Sequence, residues 1–213
     1  FAPAERVAEL ADARELALAF TAVSRNRKDA AEQLAAVPEA QRSAVFTFAQ
    51  ARHLRRTGKF REAAEAMLEA PTDAAALGDP DAWWVERRVL SRELLDLDDA
   101  AGAYRLAAAH AAESPVMAAD AEFHAGWYAF RGMGDAAAGA RHFARIAEIA
   151  EGPISLSRAH YWLGRAAEAG GPGEAEAHYQ QAAAHGTAFY GQIAAAKLGR
   201  TTIATAFPPV SRD

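Results

Sequence analysis

Apolar residues recur along most of this chain at the three- and four-residue intervals of a helix, and glycines, prolines and polar clusters cut the pattern into pieces. The first piece, Ala4 to Ser24, sets Val7, Leu10, Leu16, Phe20 and Val23 near one stripe. Asp29 to Val37 predicts a short second helix that stops at Pro38, since proline cannot continue it. Gln41 to Thr57 predicts a third, with Val45, Phe46, Phe48 and Leu54, ended by Gly58. Phe60 to Glu69 follows and stops before Pro71. Thr72 to Gly78 has the weakest pattern and predicts the longest loop. Asp79-Pro80 reads as an N-cap with a first-turn proline. It opens AWWVERRVLSRELLDL, the segment most heavily loaded with side chains, and Asp98 to Ala112 is its expected partner. Ser114-Pro115 starts the helix through AEFHAGWYAFRG, and Asp135 caps one that runs to Ile149.

The stretch from Pro153 to Gly199 organises the rest. It predicts three consecutive helices: one carrying Tyr161-Trp162-Leu163-Gly164, a second carrying Tyr179 after a break at Gly170 to Gly173, and a third from Ala188 to Leu198. Between the last two, Gly186 is expected as a left-handed stop and Thr187 as an N-cap. About eleven helices result.

These pieces repeat. Phe123 and Tyr161 lie 38 residues apart, as do Gly126 and Gly164, and Gly132 and Gly170. The aromatics of the second helices keep step: Tyr104 to Phe143 is 39 and Phe143 to Tyr179 is 36, with Met67 standing 37 before Tyr104. A unit of this size matches helix-pair repeats slightly longer than the tetratricopeptide unit. The fold expected is all-α: a superhelical stack of antiparallel helix pairs, a tetratricopeptide-like α-solenoid, because one pair cannot bury its apolar side alone. Gly126 and Gly164 each cost roughly 1 kcal/mol against alanine inside a helix. Their recurrence in register predicts close approach of a neighbouring helix.

Composition sharpens this picture in three places. Of 213 residues, 51% are hydrophobic but only 9% aromatic, and much of the remainder is alanine, which favours close helix-on-helix packing over a large core. The net charge is −5 and no long basic run occurs, so the electrostatic attraction that drives nucleic-acid binding is missing. No apolar run reaches the length of a membrane span. The cysteine count of 0 fits an oxidising compartment and a reducing one equally. The chain opens Phe1-Ala2-Pro3 with no basic-then-apolar leader, as a processed or excised segment would.

Four blocks carry a resemblance to a known family: WWVERRVLSRELLD from Trp83, HAAESPVMAADAEFHAGWYAFRG from His110, HFARIAEIAEGPISLSRAHYWLGRAAEA from His142 and TAFYGQIAAAKLG from Thr187. Together they resemble the α-superhelical region of the soluble lytic transglycosylases of bacterial peptidoglycan, well over Trp83 to Gly199 and loosely before it. The YWLGRA and FYGQIAAAKLG blocks are the most specific. The resemblance implies a periplasmic, non-catalytic scaffold that holds an enzyme along the glycan and braces its C-terminal lysozyme-like domain. That domain cleaves the MurNAc–GlcNAc bond to a 1,6-anhydro product with one glutamate. The family's Glu-Ser-x-aromatic motif and its Gly-Leu-Met-Gln block do not follow Gly199. Residues 1–78 are thus expected as N-terminal repeats, 79–199 as the repeats most like that family, and 200–213 as a linker toward a catalytic domain of the same polypeptide. The competing expectation is a stand-alone tetratricopeptide-like adaptor; a third is a lectin-like module that binds glycan by itself.

Candidate chemistry is sparse. Glu113-Ser114 is the single Glu-Ser dipeptide, but Pro115 follows it at a turn, where nothing would raise the glutamate pKa as a general acid requires. No catalytic residue is expected in this chain, and no cofactor. Asp120/His124 and Glu174/His178 stand four apart, and His178/His185 two turns apart, in no pattern that gives three metal ligands from one element; surface pairing is the expected role. Trp83-Trp84, Trp127-Tyr128 and Tyr161-Trp162 could stack on sugar rings. Neighbours on a helix point about 100° apart, so one of each pair is expected to face a groove and the other to pack inward. Trp84, Trp127 and Trp162 are expected in the core. Trp83, Arg87, Arg88, Tyr128, Tyr161 and Arg165 are expected as glycan or partner contacts, and Tyr190, Gly191 and Gln192 as contacts to a catalytic domain.

Overall fold

The computed structural model describes residues 12–200. Positions 4–11 of the first predicted helix, with Val7 and Leu10, and the expected linker beyond Arg200 lie outside them. Among the described residues there is no strand, and none of the helices is long and apolar enough to cross a membrane. Twelve α-helices follow one another: α1 Arg14–Ser24, α2 Ala30–Ala35, α3 Ala44–Arg56, α4 Phe60–Leu68, α5 Ala74–Leu77, α6 Pro80–Asp96, α7 Ala100–Ala108, α8 Pro115–Trp127, α9 Ala136–Ile149, α10 Pro153–Glu168, α11 Ala175–Ala183 and α12 Phe189–Lys197. A short 3-10 turn covers Glu39–Gln41, and α8 runs into a π-helical turn at Tyr128–Gly132.

Helices pack mainly on their neighbours in sequence, as the short connections between them require. The contacts divide the chain into two compact units that meet in sequence at Ser114–Pro115, later than the boundary at 78 drawn from the sequence. In the first unit α1, α2 and α3 enclose Ala19, Ala22, Val23, Leu34, Val37 and Phe46, and α4 lies against α3, α6 and α7. In the second, α8 to α12 pack in order and α10 also touches α12.

Aspartates start four of these helices. The carboxylates of Asp73, Asp79, Asp99 and Asp135 each accept the backbone N–H three residues on, at 2.8–3.2 Å, satisfying a donor that the first turn leaves unpaired. The first of these caps corrects the expected loop at Thr72 to Gly78. Asp73 and three alanines make a one-turn helix there, too short to show a period, and Leu77 anchors it in the core at 5% exposure. The expected start at Asp98 moves one residue, because Asp98 takes a left-handed backbone and Asp99 becomes the cap. The expected Gly186-Thr187 signal also fails. Gly186 is not left-handed, and Ala188, with no side-chain acceptor, precedes α12.

The mid-helix glycines behave as their register predicts. A methyl group on Gly126 would sit 2.6 Å from the Phe143 ring of α9, and one on Gly164 would sit 2.6 Å from the Tyr179 ring of α11. Each glycine is the slot into which the partner helix lays its one large aromatic. Both rings are buried, Phe143 at 0% and Tyr179 at 4% exposure.

Candidate functional site

The expected contact residues divide between the two units. In the first, Trp83 is buried, tilted on Phe48 with centroids 5.0 Å apart, and its indole N–H donates to the Leu77 carbonyl at 3.2 Å. It forms the floor of an apolar groove of about 270 Å³ walled by Phe20, Val45, Phe48 and Leu77. Arg87 is buried as well. One Nη donates to the Met67 carbonyl at the end of α4 at 3.0 Å, a favourable place for a cation against the helix dipole. Burial pushes its pKa down to about 10. Arg88 is half-buried. Glu86, beside them, is clamped by two arginines of α3: Arg52 at 2.9 Å and Arg55.

In the second unit Tyr128 is buried, with the edges of His124 and Trp127 about it at 5.9 and 6.1 Å. Tyr161 is buried too, and its hydroxyl accepts from Arg165 at 3.3 Å. Tyr128 and Tyr161 therefore present no open ring face, which corrects the expectation that they line a groove, while Trp83, though only 3% exposed, does lie at the floor of one. Trp84 is in the core as expected, at 0% exposure. Trp162 packs on the core cluster but remains half-buried, as does Trp127. The physical reason is that a helix inside a row has a neighbour on both sides. The two rings of a Tyr-Trp step, 100° apart, each find one. Tyr161 leans on Tyr179 and Tyr190, at 5.9 and 5.3 Å, whereas Trp162 leans on Phe123, Phe130 and Phe143, at 6.4, 6.2 and 5.9 Å.

Of the residues expected at a domain contact, Tyr190 is half-buried and Gln192 exposed. Gly191 is buried: a methyl group there would sit 2.1 Å from the His185 carbonyl oxygen, so this glycine serves the fit of α12 onto the end of α11. Glu113 is exposed at its turn, where its backbone N–H and that of Ser114 donate to Asp81.

The groups that the structure does gather lie on α10 and its neighbours. Trp162 joins Phe123 of α8 to Tyr190 of α12, with both ring centroids 6.4 Å away. The Arg158 guanidinium lies 4.2 Å over the Phe123 ring. Burial lowers the Arg158 pKa, against the opposing pull of Asp120 and Tyr190. At the other end of α10, burial works against ionisation of Glu168, but Lys197, Tyr179 and Arg165 outweigh it and hold its carboxyl below the ordinary value. Lys197 reaches Glu168 at 2.9 Å and Arg165 reaches it at 3.3 Å. Burial, then the Glu168 carboxylate, pushes the Tyr179 phenol up. Glu168 and Lys197, with Glu176, rim an open pocket of about 410 Å³ beside Tyr179.

The histidines join differently than their spacing suggests. Asp120 and His124 pair at 3.5 Å, but His178 stacks on His160 of α10 at 6.1 Å instead of meeting Glu174. His142 meets Glu122 at 2.6 Å, a contact 20 residues apart in sequence that helical spacing could not reveal. Among the described residues no three His, Cys, Asp or Glu side chains converge as a metal site.

Comparison with protein-family models, with curated proteins and with solved structures finds no match.

Proposed function

We propose that this chain is a superhelical scaffold region of a bacterial peptidoglycan lytic transglycosylase. Its helix pairs stack as a tetratricopeptide-like solenoid, hold the enzyme on the glycan in the periplasm, and brace a catalytic domain of the same polypeptide. The observation that carries this reading is the meeting of the two most specific resemblance blocks. YWLGRA lies in the C-terminal half of α10 and FYGQIAAAKLG covers α12 and its end, and the two pack on each other through Tyr161 and Tyr190 at 5.3 Å. Two blocks separated by one intervening helix that close into one packed unit are what an inherited structural unit contains. The in-register glycine–aromatic slots give further support, since a repeated slot lets hairpins stack at a constant distance.

Sedimentation of the purified chain with isolated sacculi tests the positioning role. The expected result is saturable binding without release of 1,6-anhydro-muropeptides. No co-sedimentation overturns positioning, and anhydro products overturn the non-catalytic part. The groove over Trp83 favours a second reading, a stand-alone adaptor that takes an apolar side chain of a partner protein. The gene beyond Asp213 separates the two: a Glu-Ser and Gly-Leu-Met-Gln pair of blocks within an ordinary domain length, about 150 residues, supports the scaffold, and a stop codon supports the adaptor.

A further inference from the structure

One face of α3 changes character along its length. Val45, Phe48, Arg52 and Arg55 stand at positions i, i+3, i+7 and i+10, and so share one side of the helix. At the apolar end Val45 and Phe48, with Phe20 and Leu77, wall the groove of about 270 Å³ over Trp83, and Val45 keeps 42% of its surface exposed. One turn further on, the Arg52 guanidinium lies 4.4 Å over the Phe48 ring. Glu86 takes only the Nε–H of Arg52 and of Arg55, and their Nη groups make no hydrogen bond among the described residues. Arg56 donates to the Val23 carbonyl and so brings the end of α3 against the end of α1. At that end Arg25, Arg27 and Lys28 of the turn after α1 join Arg56 and Lys59, and all five are exposed. Burial, then repulsion from Arg52 and Arg55, lowers the Arg56 pKa against the pull of Glu86.

Helix C-termini attract cations, but only in proportion to their charge. Each end carries about half a negative charge, so α1 and α3 together account for about one. Counting Arg52 and Arg55, seven cations face four acids here, Asp29, Glu32, Glu62 and Glu86, a surplus of three in a chain whose net charge is −5. That surplus exceeds what the two dipoles attract.

We propose that this face of α3 binds an acidic segment of a partner protein, with one apolar side chain in the groove over Trp83 and carboxylates on the arginines. Phe48 and Arg56 are eight residues apart, about 12 Å along the helix. Roughly four extended residues cover that distance, so the segment carries its acids about four positions from its apolar anchor. The groove decides against an anionic membrane or a nucleic-acid strand, neither of which sets one apolar side chain at a fixed distance from its charges. The assignment rests on the adaptor reading of the groove and names the chemistry of the partner.

The probes are short Gly/Ser peptides that carry one Leu, Phe or Trp and a run of Glu beginning four positions later; matched peptides carry Gln in place of Glu. Added to the full chain, the acidic peptides are expected to move the indole N–H resonance of Trp83, which bonds to Leu77 at the groove floor, in a proton–nitrogen spectrum. They are expected to bind at least about tenfold more tightly than the Gln peptides at low salt, an advantage that shrinks as salt rises. Arg52→Gln combined with Arg56→Gln is expected to abolish that preference and leave binding of the Gln peptides unchanged, which a loss of fold would not do. Lys28→Gln combined with Lys59→Gln, both fully at the surface, is expected to weaken the acidic peptides about threefold. Val45→Asp is expected to weaken both kinds, and Lys197→Ala in the second unit neither. Equal binding of Glu and Gln peptides overturns the acid recognition and leaves the adaptor reading standing; binding of neither overturns both. Acidic peptides that bind without moving the Trp83 resonance overturn the assignment. So does retention of the chain on phosphatidylglycerol vesicles that these peptides do not displace, since the contact would then be one of charge alone.

Discussion

The hairpins α6–α7 and α10–α11 are built alike, yet the corresponding stretches of their first helices meet neighbouring helices in different ways. In α10–α11 the contact is a slot: Gly164 leaves room and the Tyr179 ring occupies it. Counting back two repeats of 38 from Gly164 reaches Arg88, and this stretch of α6 carries Glu86 and Arg87 instead, both buried at 3% and 1% exposure. There the contacts are ionic, and they run to the helices that precede α6. Arg52 and Arg55 reach across from α3 to Glu86, and Arg87 reaches to the end of α4. The two solutions differ in what they tolerate. A slot fails when a side chain is added, by repulsion that depends on volume. A buried ion cluster fails when a partner is removed, because the remaining charge keeps its desolvation cost.

Four substitutions or conditions probe that contrast. Glu86→Ala is expected to have the largest effect, about 3–5 kcal/mol of unfolding free energy, since it strands two largely buried guanidinium groups. Urea unfolding measures this, and a loss under about 1 kcal/mol would mean that the cluster is fully solvated. Gly164→Leu comes next, at about 1–3 kcal/mol from overpacking against Tyr179. Adding Tyr179→Ala should recover part of that loss, because residues in contact couple. Additive losses would show that the slot is not the cause.

Acidification is expected to act on the second unit through the His160–His178 stack. Burial lowers the pKa of both rings, and His178 and His185 add to this at His160. The unfolded chain then binds protons more readily than the folded one below the ordinary value of about 6.5, so stability is complete above that pH and declines as pH falls through the lowered native values. Thermal unfolding at pH 7.5 and pH 5.0 checks it: the midpoint should drop on acidification, and His160→Phe should reduce the drop. The smallest effect is expected for Lys197→Ala. Its bond to Glu168 is more than a third exposed, so the loss should stay within about 0.2–1 kcal/mol and shrink in salt.

Helix existence was legible throughout the described residues except at α5, because segments of six residues or more between breakers show helical spacing and the four alanine-rich residues of α5 have no period. Chain-level caps were legible where an aspartate precedes a helix, as at Asp79 and Asp135. They were misread at Gly186-Thr187, where a close backbone approach between Gly191 and His185 decides the turn. The contact residues were legible only as a set of aromatic and arginine candidates. Which ring of each pair is covered depends on the two neighbours that flank a helix in a row, and helical spacing carries no information about either.

The residue order by itself determined that this chain is helical, that its helices come in pairs about 38 residues long, and that glycine and aromatic positions recur in step, since all three follow from local propensity and period. Only the tertiary structure decided that Tyr161 is covered while Trp162 stays at the rim, that Arg158 lies over Phe123, and that Glu86 is clamped from another helix. Those outcomes depend on contacts between residues 18 to 39 positions apart in sequence, and such contacts are set by how the helices pack, not by any one helix.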